Sequence, residues 1–494
     1  MKTMKKVGGL ALAGTIAATT LFSGLSFGNA DNVAVAKDNK EQYHFGNSQQ
    51  PKNVILLIGD GMGSNQVSAA AYYKGKGFKA GELEMDKFKD VGLARTYSHD
   101  NVVTDSAAAA TAFSASHKTD NNVIGQAPKN EEHEADEAHF DVETVLEKAA
   151  AQGKSTGLVS TARITHATPA AFASHIDHRD KEDDIAVQML LEHDIEVLLG
   201  GGKRHFLPKS EGGKRTDSKN LITEAKKKGY HVVGDRDSLD DAKGKKVLGL
   251  FNDSHMTYDI DRELTKEPSL KEMTEKAIDL LEKEKKGFFL MVEGGRIDHA
   301  GHSNYPAENI HETLAFDDAI KVAKEYAEKH KDTLVIVTAD HETGGMSMGV
   351  NGTYGFNKDA LRSVKRSVDY IAGQLNKERT NIKDVLAKYA GIKDLNGQEE
   401  EAIKKAKSPA DVIAKIISDR ALIGWTTTGH TAVDVPVYAF GPQSDKLTGT
   451  IDNTQIADVI AAAYSGKGNQ NQNNQNNQNQ NNQGNNQNQG KKNR

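Results

Sequence analysis

Six short apolar runs, at 53–58, 156–159, 195–199, 288–292, 333–337 and 435–440, stand out from a chain that is otherwise strongly polar. Most are apolar at odd and even positions alike, as strands covered on both faces must be. Between them lie segments with apolar residues at helical spacing, notably 141–152, 270–283 and 312–329. Strand and helix in alternation predict βαβ units, hence an α/β fold: a doubly wound, mainly parallel central sheet with helices on both faces. The stretch 356–420 breaks the alternation. It is charged and helical in pattern with Gly and Asn interruptions, so it is expected to be a helical surface insertion spanning about 350–424 within a folded domain of 45–466.

The two ends have a different character. A basic head (Lys2, Lys5, Lys6) followed by an apolar stretch and small residues is the pattern of a secretory signal within 1–36, with cleavage after Ala30 or Ala36. From Lys467 to Arg494 the chain is almost wholly Asn and Gln and has nothing to bury, so a disordered tail is expected, whose basic end could touch a cell wall. An exported, extracellular protein with no stable membrane span after processing is the resulting expectation. The chain has no cysteine, which removes disulfides and thiolate zinc ligands together. Its 63 basic and 69 acidic residues give a net charge of -6, which argues against nucleic acid as a partner. The runs at 226–228 and 283–286 read as solvated helix ends.

In an open parallel sheet, ligands bind beyond the carboxyl ends of the strands, so the residues following each apolar run matter most. They are Asp60 within Gly59-Asp60-Gly61-Met62-Gly63, the segment 161–168 with His166 and Thr168, Glu293, and Asp340-His341. Asp298 and His302 are spaced to meet one ion, and His430 lies near the last strand. Carboxylates gathered on one rim are costly to bury unless cations neutralise them, so the pattern predicts bound metal. Carboxylate and imidazole without thiolate suit zinc in an open site, while carboxylate with hydroxyl and water suits magnesium. Ser106, preceded by Asp105 and followed by a run of small residues, has two readings. It is either a helix N-cap or a nucleophile at the positive end of a helix, where an alkoxide and a phosphate are both favoured.

Taken in order, Gly59 to Gly63, Thr104-Asp105-Ser106-Ala107-Ala108, 167–171, Val292-Glu293-Gly294, Asp298 with His302, 338–341 and Gly429-His430-Thr431 resemble the motif set of alkaline phosphatases. The resemblance covers about 53–464. It implies Ser106 as the nucleophile, Arg179 as the phosphate clamp, Asp298, His302 and His430 as one zinc site, and Asp60, Asp340 and His341 as a second. It further implies that Asp60 bridges to a magnesium-type site with Thr168 and Glu293, for two Zn²⁺ and one Mg²⁺ per chain. His166 stands where enterobacterial members carry aspartate and His299 where they carry lysine. Those two, with Asp105, would lie behind the ligands or near the phosphate, and His166 leaves the third metal open between zinc and magnesium. The activity implied is hydrolysis of phosphate monoesters through a phosphoserine, with broad specificity, in an enzyme commonly dimeric. A phosphodiesterase of similar build and a non-catalytic metal- or phosphate-binding protein are the alternatives. A sulfatase is disfavoured by the lack of cysteine and of the Pro and Arg that would follow the modified residue.

Overall fold

The computed structural model describes residues 50–129 and 138–464. The expected signal segment and the Asn/Gln tail lie outside them. Ten strands form the central sheet: β1 Asn53–Ile58, β2 Asp90–Arg95, β3 Ser155–Arg163, β4 Val197–Gly201, β5 His231–Val233, β6 Val247–Leu250, β7 Phe288–Glu293, β8 Thr333–Thr338, β9 Val435–Phe440 and β10 Gly449–Asp452. Their spatial order is β10-β2-β9-β8-β1-β7-β3-β4-β6-β5. All pairings are parallel except the two made by β9, which runs against both β8 and β2. This is the α/β, mainly parallel sheet the apolar pattern implies. The central strands β1, β7 and β8 are buried at every residue, which is why their sequences are apolar without alternation.

Helices cover the sheet in two groups. Ser64–Lys74, Leu270–Leu281 and Pro306–Lys329 pack together, while Ser106–Ala115, Val145–Ala151 and Thr454–Tyr464 form the other group. Their limits have local causes. A helix over 141–152 is expected from periodicity, yet it starts at Val145. Thr144 and Glu147 form a reciprocal capping box there, and His139–Asp141 pairs instead with Gln126–Pro128 as a small hairpin. The helix expected over 312–329 begins earlier, at Pro306, because proline fits the first helical turn where its missing N–H is not needed.

Between the two-residue strands Ser347–Met348 and Ile423–Gly424, which pair with each other, five helices run from Lys358–Arg362 to Pro409–Ala421. Ile371, Leu386, Ile403, Ile413 and Ile417 make an apolar cluster there, shared with Ile310 of the Pro306–Lys329 helix. Glu308 on that helix accepts the backbone N–H of Val368, and Tyr305 donates to Asp411 at 3.2 Å. The insertion is therefore docked by buried polar contacts as well as apolar ones.

Glu308 is fully buried, and that burial pushes its pKa up to about 8. A carboxyl whose folded pKa is raised leaves stability intact below the ordinary glutamate value. Stability is then lost as pH rises through about 8. The shift corresponds to roughly 5 kcal/mol at full ionisation. Glu308→Gln mimics the protonated side chain and keeps an oxygen for Val368. Thermal melts should show it matching the parent near pH 4 and exceeding it progressively towards pH 9.5; equal melting temperatures across that range would contradict the assignment.

Candidate metal centre

The register of the sheet assembles the centre. Ile58 of β1 lies abreast of Glu293 on β7 and of Thr338 on β8. Asp60 and Asp340, each two residues past those positions, therefore emerge side by side, with Glu293 next to them. Gly61 has φ +71°, and a Cβ there would come within 2.8 Å of the Asp298 backbone. Only glycine lets the Asp60 turn pass this close to the Asp298 helix. The Gly61 N–H donates to Asp340 Oδ1 at 3.0 Å, as does the His341 N–H, so one oxygen of Asp340 is fixed while Oδ2 faces the centre.

Asp298 and His302 lie on the helix Arg296–His302, and His430 follows the insertion. His302 Nδ1 donates to the carbonyl of Thr428 at 2.6 Å and His430 Nδ1 to that of Thr104 at 2.8 Å. Both rings are thereby turned so that Nε2 points inward. The two Nε2 atoms are 3.1 Å apart, and they lie 3.3 and 3.5 Å from Asp298 Oδ1. Ligand bonds of 2.0–2.2 Å in a tetrahedron imply edges of about 3.3–3.6 Å, so these three atoms match three vertices around one ion. Thr343 Oγ also donates to Asp298 Oδ1, at 2.5 Å, and orients that carboxylate.

Asp60, Asp340 and His341 form the second group. His341 Nε2 is 3.2 Å from Asp340 Oδ2 and 3.6 Å from Asp60 Oδ1. Ser106 Oγ stands 3.1 Å from the same Nε2. The serine is the first residue of the helix Ser106–Ala115, but the cap is Asp105, whose Oδ1 accepts the Ala108 N–H at 3.0 Å. The N-cap reading of Ser106 is thus overturned in favour of Asp105, and the Ser106 hydroxyl faces the group of Asp60, Asp340 and His341 through His341 Nε2. Asp105 Oδ2 in turn receives Arg179 Nη1 at 2.8 Å, while Arg179 Nη2 lies 3.2 Å from His166 Nε2.

Asp60 is shared by a third group with Glu293 and His166. Both oxygens of Asp60, Glu293 Oε1, Thr168 Oγ and His166 Nδ1 are buried without a hydrogen-bond partner. Buried polar atoms left unpaired in one place are expensive, and a cation removes that cost for all of them. The donor set thus fits metal ions. Burial pushes Asp60 well above the usual carboxylate range, with Asp340, Asp298 and Glu293 adding to it, and burial raises Glu293 to about 7. Burial works to raise Asp298, yet it is held well below the usual range, because the hydrogen bond and charge of His302 act together with the charges of His341 and His430.

Of the residues singled out from the sequence, Asp60, Ser106, Thr168, Arg179, Glu293, Asp298, His302, Asp340, His341, His430, Asp105 and His166 fall in or against these groups. His299 does not reach a ligand group among the described residues; it contacts Arg296 at 3.1 Å and packs behind His166, ring centroids 5.6 Å apart. The sequence reading missed His255, whose ring lies 4.1 Å from that of His299 and which hydrogen-bonds Arg163. It also missed Ser160, which donates to Glu293 Oε2 at 2.5 Å, and Thr343. His255 follows the C-terminal end of β6, so the strand-end rule would have found it had that short strand been recognised.

A buried seryl hydroxyl among convergent carboxylates and imidazoles, at the C-terminal edge of a parallel sheet, defines a metal-dependent hydrolase. The family model described as alkaline phosphatase matches residues 51–465. Alkaline phosphatase 3 of Bacillus subtilis (strain 168) is 43% identical over 462 residues, spanning 90% of this chain and 95% of that protein. The cold-active alkaline phosphatase of a psychrophilic Shewanella superposes with a TM-score of 0.75 at 34% identity, over 84% of this chain and 100% of the other. A histidine-to-glutamate variant of the TAB5 alkaline phosphatase, with magnesium in its M3 site, superposes with a TM-score of 0.62 at 31% identity, over 85% and 99%. The chain belongs to the alkaline phosphatase family. It is a metal-dependent hydrolase of phosphate monoesters.

Proposed function

We propose that hydrolysis proceeds through a phosphoserine on Ser106, supported by two Zn²⁺ and one Mg²⁺ per chain. The observation that carries this reading is the Ser106 hydroxyl, 3.1 Å from His341 Nε2 and released from capping by Asp105. Asp298, His302 and His430 would hold one zinc and Asp60, Asp340 and His341 the other, with Asp60, Glu293 and Thr168 holding magnesium. When bound, the metals supply charge neutralisation and a lowered pKa for the attacking oxygens. His166 belongs to the third ligand group as well, so zinc there is the competing assignment.

Arg179, oriented by Asp105, grips non-bridging oxygens of the phosphoryl group. Ser106 Oγ bonds phosphorus as the bond to the alcohol oxygen breaks; the seryl proton leaves to solvent, and the departing alkoxide takes up one proton from solvent to leave as the alcohol. Water then cleaves the Oγ–P bond, which regenerates Ser106 and frees inorganic phosphate. The helix N-terminus that begins at Ser106 adds a favourable field for the anion throughout. Acid quenching during turnover of a ³²P-labelled monoester should leave label on the peptide containing Ser106. Turnover without label at Ser106 would refute the intermediate.

Export is part of the same reading: a signal within 1–36, a folded domain over 45–466 and a solvating extension over 467–494, with cell-wall contact through its basic end as the second reading of that tail. A homodimer is expected from the family resemblance. No helix among the described residues is long and apolar enough to cross a membrane.

A further inference from the structure

A fourth convergent set of ligand-type side chains, Glu147, His175 and His193, shares no residue with the Ser106 centre, and its three ligand atoms lie within 4.8 Å of one another. Each member comes from a different part of the chain. Glu147 is in the first turn of the helix Val145–Ala151, His175 precedes the segment that carries Arg179, and His193 closes a π-helical turn over Gln188–Glu192 by donating its N–H to the Gln188 carbonyl. Turns of that kind are rare and concentrate at functional sites.

The set is held from behind, as ligand sets are. His175 Nδ1 donates to the Gly125 carbonyl at 2.6 Å, which aims Nε2 at Glu147 Oε1, 3.1 Å away. Gly125 has φ +62°, and a Cβ there would come within 2.1 Å of the Ser174 carbonyl oxygen, so the approach that positions His175 depends on that glycine. Gln188 brackets the His175 backbone, accepting its N–H at 2.8 Å and donating to its carbonyl at 3.1 Å. Glu147 Oε2 is occupied by the Thr144 N–H at 2.7 Å, so Oε1 is the oxygen turned towards the histidines. His193 Nδ1 reaches the same Oε1 at 3.7 Å.

Two imidazoles thus converge on a single carboxylate oxygen. One proton can bridge only one of those contacts, whereas an ion at the centre engages all three atoms. The separations of 3.1 and 3.7 Å bracket the edge of about 3.3–3.6 Å of a tetrahedron with 2.0–2.2 Å ligand bonds. We propose that Glu147, His175 and His193 form an additional transition-metal site, occupied by Zn²⁺ with solvent in its fourth position. Two imidazoles and a carboxylate with one open vertex suit zinc and are a poor match for calcium or magnesium, which prefer all-oxygen shells. An ion there ties the Val145–Ala151 helix to the chain leading into Arg179, so its role is to brace that segment.

The test is a calorimetric Zn²⁺ titration of the holoenzyme, its catalytic sites already filled, with elemental analysis of the product. The parent should take up one more Zn²⁺ per chain, with a rise in melting temperature. In His193→Ala and in Glu147→Gln, which retains an oxygen for Thr144, that uptake should weaken by about 100-fold or more, since even outer-shell losses cost 10–100-fold. Monoesterase activity at full catalytic loading should be the same in His193→Ala and the parent. Equal uptake in parent and both variants, or no uptake by the parent beyond the catalytic complement, overturns the proposal, and neither result touches the role of Ser106.

Discussion

Ser106→Ala is expected to lower turnover of a phosphate monoester by about 10⁴-fold or more, on the scale that loss of a catalytic nucleophile costs other hydrolases. The hydroxyl makes one close contact, with His341 Nε2, and caps nothing, so alanine removes the reacting atom without disturbing the start of the helix. Zinc content should stay near that of the parent, because Asp60, Asp340 and His341 remain. Steady-state assays paired with elemental analysis separate the two effects. A variant that keeps its metals and most of its activity would show that the nucleophile is elsewhere; a variant that loses its metals would show that the serine holds the site together.

Asp60→Asn should have a different signature. Asp60 belongs to two ligand groups at once and both its oxygens are buried without hydrogen-bond partners. The amide removes the negative charge and half of the ligating oxygens, so affinity at two metal positions should fall together, each by more than about 100-fold. Activity is expected to drop at least about 10³-fold with them. After exhaustive chelation the ranking reverses. The metal-free parent must bury Asp60 beside Asp340, Asp298 and Glu293, and burial together with those neighbours raises its pKa well above the carboxylate range. By linkage, that raised value leaves stability intact at low pH and removes it as pH rises through the folded pKa. Chelated Asp60→Asn should therefore outlast the chelated parent in denaturant at pH 9 and match it near pH 4. A parent that keeps full activity without metal, or a variant whose metal content is unchanged, would contradict the shared-ligand arrangement.

Some of this was legible in the chain because one rule sufficed. Asp60, Glu293 and Asp340 follow apolar runs, and parallel register converts equal offsets from strand ends into spatial neighbours. Asp298 and His302 sit one helical turn apart, so their pairing is local. Strands β2, β5, β6 and β10 were not anticipated. β5 has three residues, β6 and β10 four each, and β2 alternates buried and exposed positions with glycine and charged residues among them. Missing β6 hid His255, which no motif marks. The Arg179 contact with Asp105, across 74 residues of chain, is set by packing and has no counterpart in spacing. The capping role of Asp105 is a matter of which of two adjacent polar residues adopts extended backbone, and composition does not separate them.

The connection between His341 and His430 has a further meaning. Just past His341, Glu342 and Thr343 pair with Thr431 and His430 in a two-rung ladder, and the strands Ser347–Met348 and Ile423–Gly424 pair a few residues further out. Almost everything between those rungs is the helical insertion. A stalk pinned twice near its base isolates the histidine at its foot from changes in length or sequence farther along. Homologues can therefore enlarge, trim or recolour that lobe in evolution, and engineers can graft onto it, while His430 keeps its place and the chemistry is inherited intact.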